Sequence, residues 1–97
     1  MTWIWDVGKD RSNRRKHGIG FDLAILVFDD PLSLSRVDAE SFEEERWQTI
    51  GVISGVVIFV VHTASFLDET GVEVSGRIIS ARKATKRERK AYEEDKF

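Results

Sequence analysis

Residues 77–94 read RIISARKATKRERKAYEE, and this stretch decides the fold. Ile78 and Ile79 are β-branched, and Arg77 precedes them and Ser80, Ala81 and Arg82 follow; this predicts a strand that carries arginines. Strict alternation would place Arg77, Ile79 and Ala81 on one face and Ile78, Ser80 and Arg82 on the other. Neither face is then purely apolar, so one can present a cationic surface. Thr85 followed three residues later by Glu88 is a capping box: the threonine oxygen accepts an orphan helix N–H and the glutamate reaches back to the cap. It predicts a basic helix from Lys86 to about Lys96, built from strong helix formers.

Working outward, 97 residues is one domain's length. Six Phe and three Trp supply one modest core. No apolar run is longer than the six residues of Val56 to Val61, far short of the roughly 20 that span a bilayer. No basic-then-apolar leader opens the chain, so the expected location is the cytoplasm, away from membranes. There is no cysteine, and with two histidines a metal site is not expected; nor is a cofactor. The net charge of −2 is patterned in blocks. Residues 1–20 carry five Lys/Arg against two Asp, and residues 77–97 carry eight against four acids. Residues 21–45 carry one Arg against eight acids. A fold that joins the two cationic ends would make a polyanion-binding face. Solvated charged helices explain the same pattern.

In chain order, Trp3 to Trp5 predicts a short strand, with Asp6 as the cap of a helix from Val7 to about His17 that Gly18 ends. Lys9, Arg11, Arg14, Arg15 and Lys16 cover that helix, which has no apolar stripe and is expected on the surface. His17 near its C-terminus serves a capping role as readily as a catalytic one. Phe21, Ala24, Ile25 and Phe28 follow helical spacing, widened by Leu23, Leu26 and Val27, until Asp29, Asp30 and Pro31 stop the helix. Leu32 to Ser35 alternates like a half-buried strand. Val37 to Glu45 is an acidic connection. Arg46 to Ile53 and Val56 to Ala64 form a hairpin around Ser54-Gly55. A loop at 65–71 leads to a final strand from about Val72 to Arg82. The order β-α-α-β-β-β-β-α implies an α+β domain: an antiparallel sheet with helices on one face and the other face partly open.

No nucleotide loop, HExxH or nucleophile elbow is present. The polar residues that could converge sit at strand ends: Arg46, His62, Arg77 and Arg82, with Glu45 beside Arg46. Arginine offers planar donors for phosphate, and histidine moves a proton near neutral pH. Together they suit metal-independent RNA cleavage, in which a 2′-hydroxyl attacks its own phosphodiester and arginines stabilise the phosphorane. The competing reading pairs Arg46 and Arg77 with Glu45 or Glu73 across strands, and makes His62 a hydrogen-bonded core residue.

Four segments carry a resemblance: WDVGKDRSNRRKHGIGFDLAILVFDDPLSL (5–34), EERWQTIG (44–51), VVHT (60–63) and RIISARKATKRERKAYEE (77–94). In this order they resemble the BrnT family of bacterial toxins, as one domain over residues 1–97. The resemblance implies a RelE-like fold, a ribonuclease that inhibits translation and arrests growth, and a BrnA-type antitoxin that neutralises it and alone binds operator DNA. RNA, with or without the ribosome, is the implied target. Carried over by position, the family's polar motif residues are Lys9, His17, Glu45, Arg46, His62, Arg77, Arg82 and Lys83. The expected roles are Arg46, Arg77 and Arg82 on the phosphate, and His62, Glu45 or His17 in proton transfer. Lys9, Arg14, Arg15, Lys16, Lys83, Lys86 and Arg87 would grip the RNA backbone. The chain departs from the family pattern at Val7, where proline is usual, at Gly20, where a capping serine is usual, and in its longer loop from Ser65 to Val74. Phe66, Leu67 and Trp47 are candidate antitoxin anchors, with core packing the alternative for Trp47. A non-catalytic module that binds protein or nucleic acid is the competing function.

Overall fold

The computed structural model describes residues 2–40 and 45–97; part of the acidic connection, 41–44, lies outside them. Strand β1 (Trp3–Ile4) leads into helix α1 (Val7–His17), helix α2 (Phe21–Ala24) and a 3₁₀ turn (Ile25–Asp29). Then come β2 (Leu34–Val37), β3 (Arg46–Ile53), β4 (Val56–Thr63), a small hairpin of β5 (Phe66–Leu67) and β6 (Glu73–Val74), β7 (Gly76–Lys83) and helix α3 (Lys86–Glu93). The main sheet runs β1-β7-β4-β3-β2. All its pairings are antiparallel except β1 with β7. This is the mixed α+β architecture that the pattern of the sequence implies, with the β5–β6 hairpin added in what reads as a loop.

The caps form as the sequence dictates. The Asp6 carboxylate accepts the Gly8 amide, and Gly18 ends α1 at φ 71°. Both halves of the Thr85–Glu88 capping box are made. The second helix is shorter than its spacing predicts. It is α-helical only to Ala24 and tightens into the 3₁₀ turn, where Val27 meets the sheet so closely that a Cβ at Gly51 would lie 2.8 Å from the Val27 carbonyl oxygen. Leu23 and Leu26, expected to widen the buried stripe, are exposed. Leu32 is also exposed, and β2 begins two residues later than its alternation predicts.

Two clusters fill the two faces of the sheet. On one, Ile19, Phe21, Ala24 and Val27 pack on Ile58, Val60, Ile78 and Ala81. On the other, Tyr92 and Phe97 pack against Ile50, Val57, Phe59 and Ala84. The helices therefore divide between the faces, and the expectation that all share one face is corrected. The reason is the length of the link: Ala84 and Thr85 alone separate β7 from α3, and its few apolar residues find their partners on the near side.

Helix α1 buries only Asn13. Its Nδ2 donates to the carbonyls of Ile19 and Ala81, each at 2.8 Å, and its Oδ1 accepts the Ala81 amide at 3.1 Å. β1 pairs only with Gly76 and Arg77; further along β7, the Asn13 amide acts as the missing neighbour. This is how a helix with no apolar stripe is fastened to the sheet. Replacing Asn13 with Leu leaves the buried Ala81 amide and carbonyl without this partner. The substitution is expected to cost about 2–4 kcal/mol, from unsatisfied buried groups at about 1–3 kcal/mol each, read from chemical denaturation with an unchanged m value.

Candidate functional site

The site depends on an irregularity in β7. Its register with β4 runs Phe59 with Arg82, Val60 with Ala81 and Val61 with Ser80, and then jumps to His62 with Ile78. Ile79 is the extra residue of a β-bulge. Cross-strand partners share a face, so the bulge reverses the alternation beyond it. Burial follows: Ile78 and Ala81, three residues apart, are both fully buried. The two-face assignment from strict alternation is corrected accordingly. Arg82 keeps company with Phe59 on the α3 face, and Arg77, whose amide donates to the Thr63 hydroxyl at 2.8 Å, comes to that same face.

Thr63 is also the partner of Arg46 in β3. Arg46, Thr63 and Arg77 thus form one row across three strands, with Arg46 and Arg77 half-buried. A depression of 320 Å³ opens here, lined by Glu45, Thr63, Ala64, Phe66 and Arg77. The Glu45 carboxylate is exposed, and the Trp47 indole N–H donates to it at 3.0 Å. Arginines on one face with a hydrogen-bonded carboxylate at the same depression are groups that can bind an anionic oxygen and take a proton.

Arg82 lies further along the same face, in a second depression of 530 Å³ that also involves Arg36, Gln48, Phe59 and Glu88. Its guanidinium makes a bidentate pair with Glu88, at 2.7 and 3.0 Å, and stacks 4.0 Å from the Phe59 ring centre. Burial opposes the charge on Glu88, but the Arg82 hydrogen bond and the Thr85 contacts overcome it and hold the carboxyl below its ordinary range. Arg36 mirrors this arrangement: it donates to Gln48 at 2.7 Å and stacks on Phe97 at 4.0 Å. Neither Arg36 nor Gln48 is singled out by spacing, because only the strand register brings them beside Arg82.

The two histidines sit elsewhere. His62 is 7% exposed, on the opposite face, edge-on to both rings of the stacked Trp3–Phe28 pair. Its Nδ1 donates to the Thr63 carbonyl at 2.8 Å, which leaves Nε2 to accept from the Thr49 hydroxyl at 2.6 Å. Thr49 in turn bonds Ser35 at 2.7 Å. His17 is exposed at the end of α1. The cations Lys9, Arg14, Arg15 and Lys16 are exposed on α1, which Asn13 holds along the outer edge of β7. Arg14 is engaged by Asp22 at 2.9 Å and Asp10 at 3.4 Å. Lys83, Lys86 and Arg87 are exposed where β7 passes into α3. Thus Arg46, Arg77 and Glu45 come together, Arg82 shares their face, and His62, His17 and the α1 cations do not join them. Among the described residues no three His, Asp or Glu side chains form a group that could hold a metal ion, and no helix is long and apolar enough to cross a membrane.

Burial drives the His62 imidazole below its ordinary value of 6.5, against the opposing pull of the Thr63 carbonyl. The native state therefore binds this proton less readily than the unfolded chain. The associated stability is present above pH 6.5 and is lost as pH falls from there through the lowered native value. NMR titration of the ring is expected to show a midpoint below 6.5, and His62→Asn to remove this part of the pH dependence of unfolding.

A family model described as "Ribonuclease toxin, BrnT, of type II toxin-antitoxin system" matches residues 5–88. No curated protein matches the chain. The matched span holds every residue of the Arg46–Thr63–Arg77 row and all of β7.

Proposed function

The chain belongs to the BrnT family of ribonuclease toxins of type II toxin–antitoxin systems, and from that premise we propose that it cuts RNA without a metal at the Arg46–Thr63–Arg77 row. A single observation carries this assignment: the bulge in β7 turns Arg77 onto the face where Arg46 stands, and Glu45 lines the same depression as Arg77. A phosphodiester seated between the two guanidinium groups meets donors on both sides. Glu45, oriented by the Trp47 indole, takes the proton of the 2′-hydroxyl, and the 2′-oxygen attacks phosphorus. The arginines stabilise the extra charge of the phosphorane. The bond to the 5′-oxygen breaks, that oxygen is protonated by the carboxyl or by water, and a 2′,3′-cyclic phosphate remains.

Arg82 serves the same strand of RNA from a distance, since its guanidinium is already committed to Glu88 and Phe59. The burial of His62, and the engagement of both ring nitrogens, favour a supporting role for it over proton transfer. His17 and the cations of α1, with Lys83, Lys86 and Arg87, act as backbone contacts around the edge of the sheet. Cleavage of messages, free or on the ribosome, accounts for translation inhibition and growth arrest in the cytoplasm. A BrnA-type antitoxin neutralises the toxin and carries the operator-binding role. The β5–β6 hairpin is its proposed handle, because Phe66 borders the depression while Leu67 and Val72 stand exposed beside it.

Induction of the chain in a bacterial host is expected to arrest growth and create new RNA ends, both relieved by the antitoxin. Arg77→Ala and Arg46→Ala should each lower cleavage by about 10²–10³-fold, the scale of losing one charge-stabilising donor, while circular dichroism stays native. Retention of full cleavage by both variants rules out this row as the site. Normal growth with unchanged RNA ends supports a non-catalytic binding module instead.

A further inference from the structure

The reaction proposed above needs Arg77 to stay on the face of Arg46, and a regular strand would not put it there. The groups that hold the bulge can be read one by one. The Thr63 hydroxyl accepts the Arg77 amide at 2.8 Å and donates to the Ala64 carbonyl at 3.1 Å, so its hydrogen-bonding capacity is used in one orientation. The Thr63 carbonyl accepts from His62 Nδ1 at 2.8 Å. Behind His62, Thr49 fixes the other ring nitrogen. On the far side, Gly76 has φ 154°, and a Cβ there would lie 2.6 Å from the Thr63 carbonyl oxygen and 2.7 Å from the Trp3 ring. Only a glycine lets β7 approach β4 this closely just before Arg77.

We propose that Thr63, held from behind by His62, is a positioning residue for cleavage: its hydroxyl replaces the ladder acceptor that the bulge removes, and so fixes the Arg77 backbone opposite Arg46. Thr63 itself is 7% exposed. Its side chain has no proton-transfer chemistry to contribute. The inference rests on the assignment of Arg46 and Arg77 as the phosphate-binding pair. It also gives His62 a reason to be where it is: the ring takes the Thr63 carbonyl and leaves the hydroxyl to the Arg77 amide.

The test uses the full chain in a translation extract, which holds both free and ribosome-bound message, with single-turnover cleavage followed as the protein concentration is varied. Thr63→Val keeps the branched shape and removes the hydroxyl. Its maximal cleavage rate is expected to fall about 10–100-fold, the scale of a misplacement of about 1 Å, with the half-saturating concentration nearly unchanged. Hydrogen exchange at the Arg77 amide should accelerate, and Thr63→Ser should restore both. If Thr63→Val does not fold, two His62 variants test the same geometry. Asn places its amide nitrogen where Nδ1 stood and should keep the rate. Gln reaches Thr49 but gives up the Thr63 carbonyl, and should lose about 10-fold.

Wild-type rates in Thr63→Val, with the Arg77 amide still protected, overturn the proposal. So does the loss of one limb of the pH–rate profile in His62→Asn, which makes His62 a proton donor or acceptor in the reaction. Arg77→Ala, run alongside, separates the two layers. If Arg77→Ala cleaves like the wild type, the site assignment falls and the purpose of Thr63 with it. If Arg77→Ala is inactive while Thr63→Val is fully active, the role of Thr63 alone falls.

Discussion

The side-chain amide of Asn13 does for β7 what a neighbouring strand would otherwise do. Both the donor and the acceptor of Ala81 end on it, and the same amide nitrogen also takes the Ile19 carbonyl at the turn into α2. A buried backbone group without a partner is costly, so this one residue decides whether the outer edge of β7 can be covered by a helix at all. Because α1 offers no apolar stripe, Asn13 is its one buried residue among those described. The exposed cations of α1 are a consequence: a helix fastened by one polar residue is free to carry charge on its remaining surface. The Asp10 carboxylate adds a second tie by accepting the Phe21 amide at 2.8 Å.

At the other end of β7 a bulge performs a different task. It leaves Ile78 and Ala81 in the core and brings Arg77 to the face that holds Arg82 and Arg46. The irregularity is supported locally: a hydroxyl accepts the Arg77 amide, an imidazole donates to the Thr63 carbonyl, and a glycine admits the close approach of β7 to β4. Strand β7 is therefore buried along its middle and carries Arg77 and Arg82 near its two ends.

The C-terminal helix has a polar tie near each end in addition to its apolar contacts. At its start, Arg82 grips Glu88, and that carboxylate also closes the capping box. Near its end, the Tyr92 hydroxyl donates to Asp30 at 2.6 Å, and Asp30 also accepts the amides of Leu32 and Val52. Burial works against the Asp30 charge, yet these three donors hold the carboxyl below its ordinary range, and the bond to Asp30 pushes the Tyr92 hydroxyl up to about 12. The carboxylate joins the end of the 3₁₀ turn, β3 and α3. It makes the Asp-Asp-Pro sequence, which reads as a helix stop, a junction between the two faces of the sheet.

The sequence by itself determined the elements whose signals are local. The caps at Asp6 and Thr85, the Gly18 stop, the Ser54-Gly55 hairpin and the apolar run of β4 each depend on a few neighbouring residues, and all of them form where they read. The family was legible too, because its motifs are short and ordered along the chain. Only the tertiary structure decided the faces. Alternation along β7 is a local rule, and one extra residue opposite β4 overrides it, so neither the burial of Ile78 nor the alignment of Arg77 with Arg46 could be read from spacing. The same holds for His62, whose place under Trp3 and Phe28 is set by elements more than 30 residues away in the chain. It holds equally for Asn13, a polar letter in a polar helix, whose partner Ala81 is 68 residues distant. Hydrogen bonds between distant segments leave no periodic trace, because they need only two complementary groups and a fold that brings them within 3 Å.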